Sequence, residues 1–236
     1  MNGKPDERKE ERIAEICEIY KNAGEVPGEL VLSVDEATGI QALERIAKDL
    51  PIGPGKPRAR EFEYTRHGTQ TLIAGINVAT GKVQGACGET RTEEDFVRFI
   101  RGMIEKNPGY ETYHFVCDQL NTHKSESLVK FVADHCDVEM DLGVKGKSGI
   151  LKSMETREQF LNDRNRSIVF HYTPKHASWM NQIEIWFGIL MRKVVRRGNF
   201  SSQEDLRGKI GAFINYFNET MAKPFKWTYE GKVLCA

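Results

Sequence analysis

The stretch from His171 to Leu190 passes from a strand to a helix with almost no connection between them: His-Tyr-Thr-Pro-Lys-His-Ala-Ser-Trp-Met-Asn-Gln-Ile-Glu-Ile-Trp-Phe-Gly-Ile-Leu. Pro174 has no N–H to donate and cannot continue a central strand, and Ser178 is a good N-cap residue. From Trp179 onward the apolar residues Trp179, Ile183, Trp186, Phe187, Leu190 and Val194 recur at helical spacing. That spacing predicts a helix whose aromatic side chains, Trp179 included, belong to the core rather than to a base-stacking platform. Glu184 falls in the second turn of this helix, off the apolar stripe. Counting by fours, Glu184, Gly188, Arg192 and Arg196 share one polar face. An acid followed by two arginines suits a phosphate surface, and an ordinary solvated face carries the same pattern.

The rest of the chain supplies the sheet on which such a unit packs. Lys9 to Asn22 reads as one helix with Ile13, Ile16, Cys17 and Tyr20 on its apolar stripe, followed by a linker through Gly24, Pro27 and Gly28. Glu29 to Asp35 is a compact apolar strand ending in an acid, and Glu36-Ala-Thr-Gly39 is expected to turn the chain. Residues 51–68, rich in Pro, Gly and basic groups, read as an exposed loop. Thr71–Val78 and Lys82–Cys87 form a hairpin meander with the first strand. Thr92 caps a helix through about Lys106, with Asp95 in the Glu place of a capping box. Tyr113–Asp118 is a fourth strand, again ending in an acid, and Ser125 caps the helix after it. A short helix is expected from Ser153 to Leu161, a fifth strand from Ile168 to Tyr172, and a last helix from the Ser201-Ser-Gln-Glu204 cap to about Thr220. Strands in a meander, then alternating helices and strands, predict a mixed α/β sheet flanked by helices. In such sheets, sites gather at strand ends and at the helix starts beside them.

Asp35, Asp118 and Glu184 all hold positions of that kind. Carboxylates brought together repel and must be desolvated, so a cluster of them costs free energy unless a cation sits inside it. Any one of them alone is explained as well by a cap or a salt bridge. The functional reading rests on the set.

Five ordered motifs accompany these acids: Ser33-Val-Asp35-Glu-Ala-Thr-Gly-Ile40, Tyr64-Thr-Arg-His-Gly-Thr69, Cys117-Asp118-Gln-Leu-Asn-Thr-His123, Pro174-Lys-His-Ala-Ser-Trp-Met-Asn-Gln-Ile-Glu184 and Pro224-Phe-Lys-Trp227. With them, the sequence from about Glu15 to Lys232 resembles the bacterial insertion-sequence transposases related to the mariner elements, the insertion sequence 630 family. The resemblance implies an RNase-H-like mixed five-stranded sheet flanked by helices. It also implies an Asp-Asp-Glu triad of Asp35, Asp118 and Glu184 holding two Mg²⁺ ions, with Mn²⁺ as a substitute and no small-molecule cofactor. Asp35 would lie between the ions, and Asp118 and Glu184 would each hold one. The implied reaction is attack by a metal-activated water on a DNA phosphodiester at the element's end, followed by attack of the freed 3′-hydroxyl on target DNA. Double-stranded DNA is the implied partner, as transposon ends and as a target containing a TA dinucleotide, with a homodimer as a further expectation.

On this reading residues 29–225 are the catalytic domain, with an insertion at about 141–166 that lengthens the gap between Asp118 and Glu184. Residues 226–236 are a C-terminal tail. Residues 1–28 are a linker helix of the kind that follows helix-turn-helix recognition modules, which the sequence before Asp35 is too short to hold. Alternatives are therefore a truncated, catalytically incompetent DNA-binding remnant or a nuclease of the same fold.

Composition adds little to the DNA argument, because 34 Lys and Arg balance 34 Asp and Glu and the formal net charge is zero. Any DNA contact must come from local clusters. Arg192, Arg196 and Arg197, with Lys193, form the densest of these, and a helix C-terminus favoured by its dipole explains the same residues. Lys175 and His176 precede the Glu184 helix, whose N-terminus favours anions. Asn121 and His123 could orient Asp118 or touch a phosphate, or form an Asx-type turn with an exposed histidine. Asn181, Arg66 and His67 belong to the family-like motifs. Glu36, next to Asp35, should point to the other side of the strand by alternation. Scattered cysteines without metal or redox spacing, and the lack of an apolar run of membrane length or a secretory core, lead to the expectation of a cytoplasmic, nucleoid-associated protein.

Overall fold

The computed structural model describes residues 8–47, 53–56 and 63–229. Its elements run α1 (Lys9–Asn22), β1 (Glu29–Arg45), β2 (Tyr64–Asn77), β3 (Val83–Gly88), α2 (Glu93–Lys106), β4 (Thr112–Cys117), α3 (Glu126–His135), α4 (Met154–Leu161), β5 (Ile168–Tyr172), α5 (Ile183–Leu190) and α6 (Gln203–Thr220). The strands form one five-stranded sheet in the order β3-β2-β1-β4-β5. The meander β1–β2–β3 is antiparallel, whereas β4 and β5 run parallel to β1.

Both faces of the sheet are covered, and the alternation along β1 shows how. Leu30, Leu32 and Val34 face α2 and α3, in a core with Phe96, Phe115, Phe131 and Phe170. Val31 faces the other way, against Ile13, Ile16 and Tyr20 of α1. Farther along the same face, Leu72, Ala74 and Ile76 pack under Trp186, Phe187 and Leu190 of α5 and Leu206, Ile210 and Phe217 of α6. Side chains of successive strand residues point to opposite faces, so this sheet needs apolar residues at nearly every central position. Within the 141–166 segment, Leu151, Phe160 and Leu161 are buried in the first of these cores.

The caps sit where the residue types require. Thr92 and Asp95 form the reciprocal capping box of α2. Ser125 accepts from Leu128 N at the start of α3, and Ser202 accepts from Asp205 N at the start of α6.

Other boundaries differ from the sequence expectation. β1 does not end at Asp35, and Glu36–Gly39 is not a turn. The strand continues to Arg45, paired with β2 back to Tyr64. The ladder slips between Ala37 and Ile40, where Gly39 has φ +67. A β-bulge absorbs the Gly that would otherwise turn the chain, because glycine reaches positive φ without a Cβ clash. Of the 51–68 loop, residues 53–56 form a tight turn closed by the Gly53–Lys56 bridge, and residues from Tyr64 onward are strand. Its remaining stretches, 51–52 and 57–62, lie outside the described residues.

The helix of Glu184 begins later than predicted. Ser178–Met180 is a short 3-10 turn and α5 starts at Ile183, so Glu184 lies in the first turn. Trp179 is not in the core and is 49% exposed. The cause is Asn181, whose amide donates to Val34 O on β1 at 2.9 Å, while Ile183 N donates to Ser33 Oγ at 3.0 Å. These bonds pin the chain to β1 and hold Ser178–Met180 apart from α5. After Leu190 the helix widens into a π turn, Met191–Val195, with Arg196 N donating to Met191 O. The extra residue rotates Arg196 out of the row that steps by four from Glu184.

Candidate active site

Asp35 lies just past the last β1–β4 pair, Ser33 with Val116, while still pairing with Ala74 of β2. β4 has ended, so the sheet is open on that side. Asp118 follows β4 directly, and Glu184 comes down from α5. Asp35 is 6% exposed. Its Oδ1 accepts from Glu36 N at 2.8 Å and its Oδ2 from Asn181 Nδ2 at 3.1 Å. Asn181, itself fully buried, also bonds Ser33 Oγ. One asparagine therefore orients Asp35 and ties β1 to the entry of the Glu184 helix.

The electrostatics show which acids share a neighbourhood. Burial raises the Asp35 pKa to about 7, and the negative charge of Asp118 adds to the rise. Desolvation followed by Asp118 raises Glu184 as well. Burial acts on Asp118 in the same sense, but the His123 hydrogen bond and charge overcome it, and Asp118 stays below its ordinary value. Like charges set near one another raise the cost of ionising each of them, and only Asp118 has a cationic partner strong enough to reverse it.

His123 is the hidden part of this site. It is completely buried, its ring 4.3 Å from that of Phe96. Nδ1 lies 2.8 Å from Asp118 Oδ1 and Nε2 lies 3.0 Å from Glu36 Oε2. Desolvation works to lower its pKa, yet the bond to Asp118, with those to Cys117 and Glu36, raises it well above the ordinary value. Each ring nitrogen faces a carboxylate oxygen, an arrangement that favours the charged imidazolium with both nitrogens donating. Glu36 does project to the face opposite Asp35, as alternation requires. The strand end is open, however, so the imidazole reaches round it, and Asp35, Glu36 and His123 each place one donor atom within 4.8 Å of the others. Sequence reasoning left Glu36 aside for its side of the strand. The available signal was the Asp-Gln-Leu-Asn-Thr-His spacing, which folds His123 back over Asp118 in a 3-10 turn, Asn121–Lys124.

The other candidates are spread more widely. Asn121 is exposed on that 3-10 turn. Lys175 and His176 are exposed before the Ser178–Met180 turn, and so stand away from the N-terminus of α5. Arg192, Arg196 and Arg197 are exposed on and after the π turn. Arg196 lines a hollow of about 360 Å³ together with Arg45, Gln41 and Tyr64 of the extended β1–β2 ribbon. Arg66 lies over the Tyr64 ring at 5.5 Å, and His67 bonds Glu44 across the ribbon at 2.8 Å. Among the described residues, no helix is long and apolar enough to cross a membrane.

Residues 31–207 match a family profile described as DDE superfamily endonuclease. No protein of curated function matches the sequence significantly. Among solved structures, the chain is similar to the Mos1 mariner paired end complex with Mn at a TM-score of 0.53 and 14% identity, over 90% of this chain and 56% of that one. It is similar to the pre-cleavage Mos1 transpososome at a TM-score of 0.50 and 14% identity, over 90% and 57%. The chain thus spans just over half the length of these neighbours. At this identity the likeness is one of fold, and it bears out the RNase-H-like sheet expected from the sequence.

Proposed function

The chain belongs to the DDE superfamily endonucleases, and from that membership we propose that it is a transposase catalytic domain of the insertion sequence 630 kind. In this reading it cuts DNA phosphodiesters at the ends of an insertion sequence and joins the freed 3′ ends to a target at TA dinucleotides. The observation that carries the proposal is the electrostatic coupling of three carboxylates: Asp35, buried, is pushed to about 7 by desolvation and by the half-buried Asp118, and Asp118 also raises the exposed Glu184.

A hard divalent cation fits this donor set. Asp35, Asp118 and Glu184 offer carboxylate oxygens only, the ligands that Mg²⁺ and Mn²⁺ prefer, and their mutual repulsion is what a cation relieves. His123 is not a ligand in this reading, because both ring nitrogens are committed as donors to Asp118 and Glu36. Two ions held by these acids would supply Lewis-acid charge at both the attacking and leaving oxygens of a phosphodiester.

The chain's own residues do the rest. Asn181 and the Glu36 N–H fix the orientation of Asp35. His123 and the Leu120 N–H hold Asp118 ionised and aimed. Arg45, Arg66, Arg192, Arg196 and Arg197 give a basic surface along the β1–β2 ribbon and the π turn, suited to duplex phosphates, since arginine forks match phosphate oxygens.

The test compares the unmutated chain with Asp118→Ala on a labelled duplex carrying the element's end, in Mg²⁺ or Mn²⁺, scoring nicks and joined products separately. Both products from the unmutated chain and neither from the variant support the proposal. Nicks alone make the chain a nuclease of the same fold. Equal nicking by both proteins removes the catalytic reading.

A further inference from the structure

Trp179 is the outlier of this fold. An indole at helical spacing with Ile183 and Trp186 should be core, yet it is 49% exposed while its neighbours Ala177 and Met180 are buried. Its backbone is held rigidly: Ala177 N donates to Pro174 O at 3.1 Å, Met180 N to Ala177 O at 3.0 Å and Asn181 N to Ser178 O at 2.7 Å. His176, just before, has φ +61, a left-handed conformation that a side chain rarely adopts. This short, well-tethered turn presents an aromatic ring to the outside.

The ring borders a pocket of about 230 Å³ whose other walls are Lys9 and Ile13 of α1, Lys175 and His176, and Tyr229 of the C-terminal segment. Tyr229 meets Trp179 edge to face, with centroids 5.0 Å apart. None of the described residues lining the pocket is acidic. The pocket therefore joins flat aromatic surface to cationic groups, the combination on which an unpaired base stacks while its phosphate meets lysine. Its size admits one base and excludes a duplex. Two residues after Trp179 the same turn reaches Asn181, whose amide holds Asp35.

We propose that this pocket takes an unpaired nucleotide of the DNA substrate, its base against Trp179 and Tyr229 and its phosphate toward Lys9 and Lys175. The proposal rests on the DNA-processing reading above and names the part of the substrate that lies beside its acid cluster. A strand opened or nicked near the Asp35 site would be caught by the pocket and kept from re-pairing.

The experiment measures binding of the full chain, without divalent metal, to a blunt duplex and to the same duplex carrying a short unpaired overhang, by fluorescence anisotropy. Stacking of one base predicts an overhang preference of roughly 5- to 150-fold for the unmutated chain. Trp179→Ala should erase the preference while leaving blunt-duplex affinity unchanged, and Trp179→Phe should keep most of it. Blunt and overhang duplexes bound alike by the unmutated chain, or a preference that survives Trp179→Ala, overturns the pocket and leaves the DNA-processing reading standing. No binding to either duplex overturns both.

Discussion

Asp35 accepts two hydrogen bonds and still titrates near neutrality, because it is buried beside Asp118. Its folded pKa of about 7 stands above the ordinary carboxylate value, so the folded state keeps a proton that the unfolded chain has released. The stability this gives is complete at acid pH, below the unfolded pKa, and is lost as pH rises through about 7. The full span is on the order of 4 kcal/mol. In chelator, the stability of the unmutated chain relative to Asp35→Asn should fall between pH 5 and pH 8 in urea titrations. Added Mn²⁺ should raise the unmutated chain at pH 8 and leave the variant unmoved. Parallel pH curves for the two proteins would refute the raised pKa. His123 calls for a different test. Removing this buried imidazolium leaves Asp118 and Glu36 without their shared partner, so His123→Ala should cost about 3–5 kcal/mol. The milder Glu36→Gln keeps the Asp118 bond and should lower Mn²⁺ affinity less than the roughly 10- to 100-fold expected for loss of a residue that orients a metal ligand. Equal Mn²⁺ affinity in all three proteins would mean that His123 serves the fold alone. The acids were singled out in the sequence as residues at element ends, whereas Asp35 lies within β1 and Glu184 in the first turn of α5. That His123 could orient Asp118 was an expectation from the sequence, but its burial and its contact with Glu36 were not legible, since that contact crosses the open end of a strand, which a period of two does not encode.

At the scale of elements, local chemistry explains what could be read and what could not. α1, α2, α3 and α6 announce themselves by a single apolar stripe, the last three by caps as well, and all of them sit where the residue types place them. The length of β1 and the start of α5 are set by partners distant in sequence: β2 continues pairing past the Gly39 bulge, and Ser33 takes the Ile183 N–H that a local cap would otherwise serve. The joint between α1 and α4 was also invisible, because it is ionic. Glu158 on α4 accepts from Arg12 of α1 at 2.6 Å and from Lys124 after β4, and all three side chains are nearly buried. Removing the one carboxylate that Arg12 and Lys124 share is the costly way to break such a cluster. Glu158→Ala should therefore lose about 3–5 kcal/mol in denaturant unfolding, whereas Arg12→Met, which leaves the Lys124–Glu158 pair intact, should lose clearly less. Comparable losses in the two variants would show that packing of α1, rather than charge, governs the joint.

For the molecule as a whole, zero net charge means that no overall field draws it to DNA. Attraction must come from how the charge is laid out. The acids gather at the open end of the sheet. Arg192, Arg196 and Arg197 gather on the π turn, beside the Arg45 and Tyr64 end of the β1–β2 ribbon. The β1–β2 ribbon runs on past the Gly39 bulge and α5 runs on into the π turn, and both extensions carry arginine. A basic ledge that continues the helix of Glu184 would let phosphates bind the ledge while a cation neutralises the acids, so one duplex could use both. Each phosphate contact releases counterions and contributes about one unit to the slope of log affinity against log salt. Replacing Arg196 and Arg197 together with alanine should therefore reduce that slope by about 2, measured between 50 and 200 mM salt. The effect should be the same for any duplex sequence, since contacts to phosphate carry no base information. Both side chains are exposed, so stability should stay within about 0.5 kcal/mol of the unmutated chain. An unchanged salt slope would move the duplex off this ledge and leave the arginines as an ordinary solvated surface.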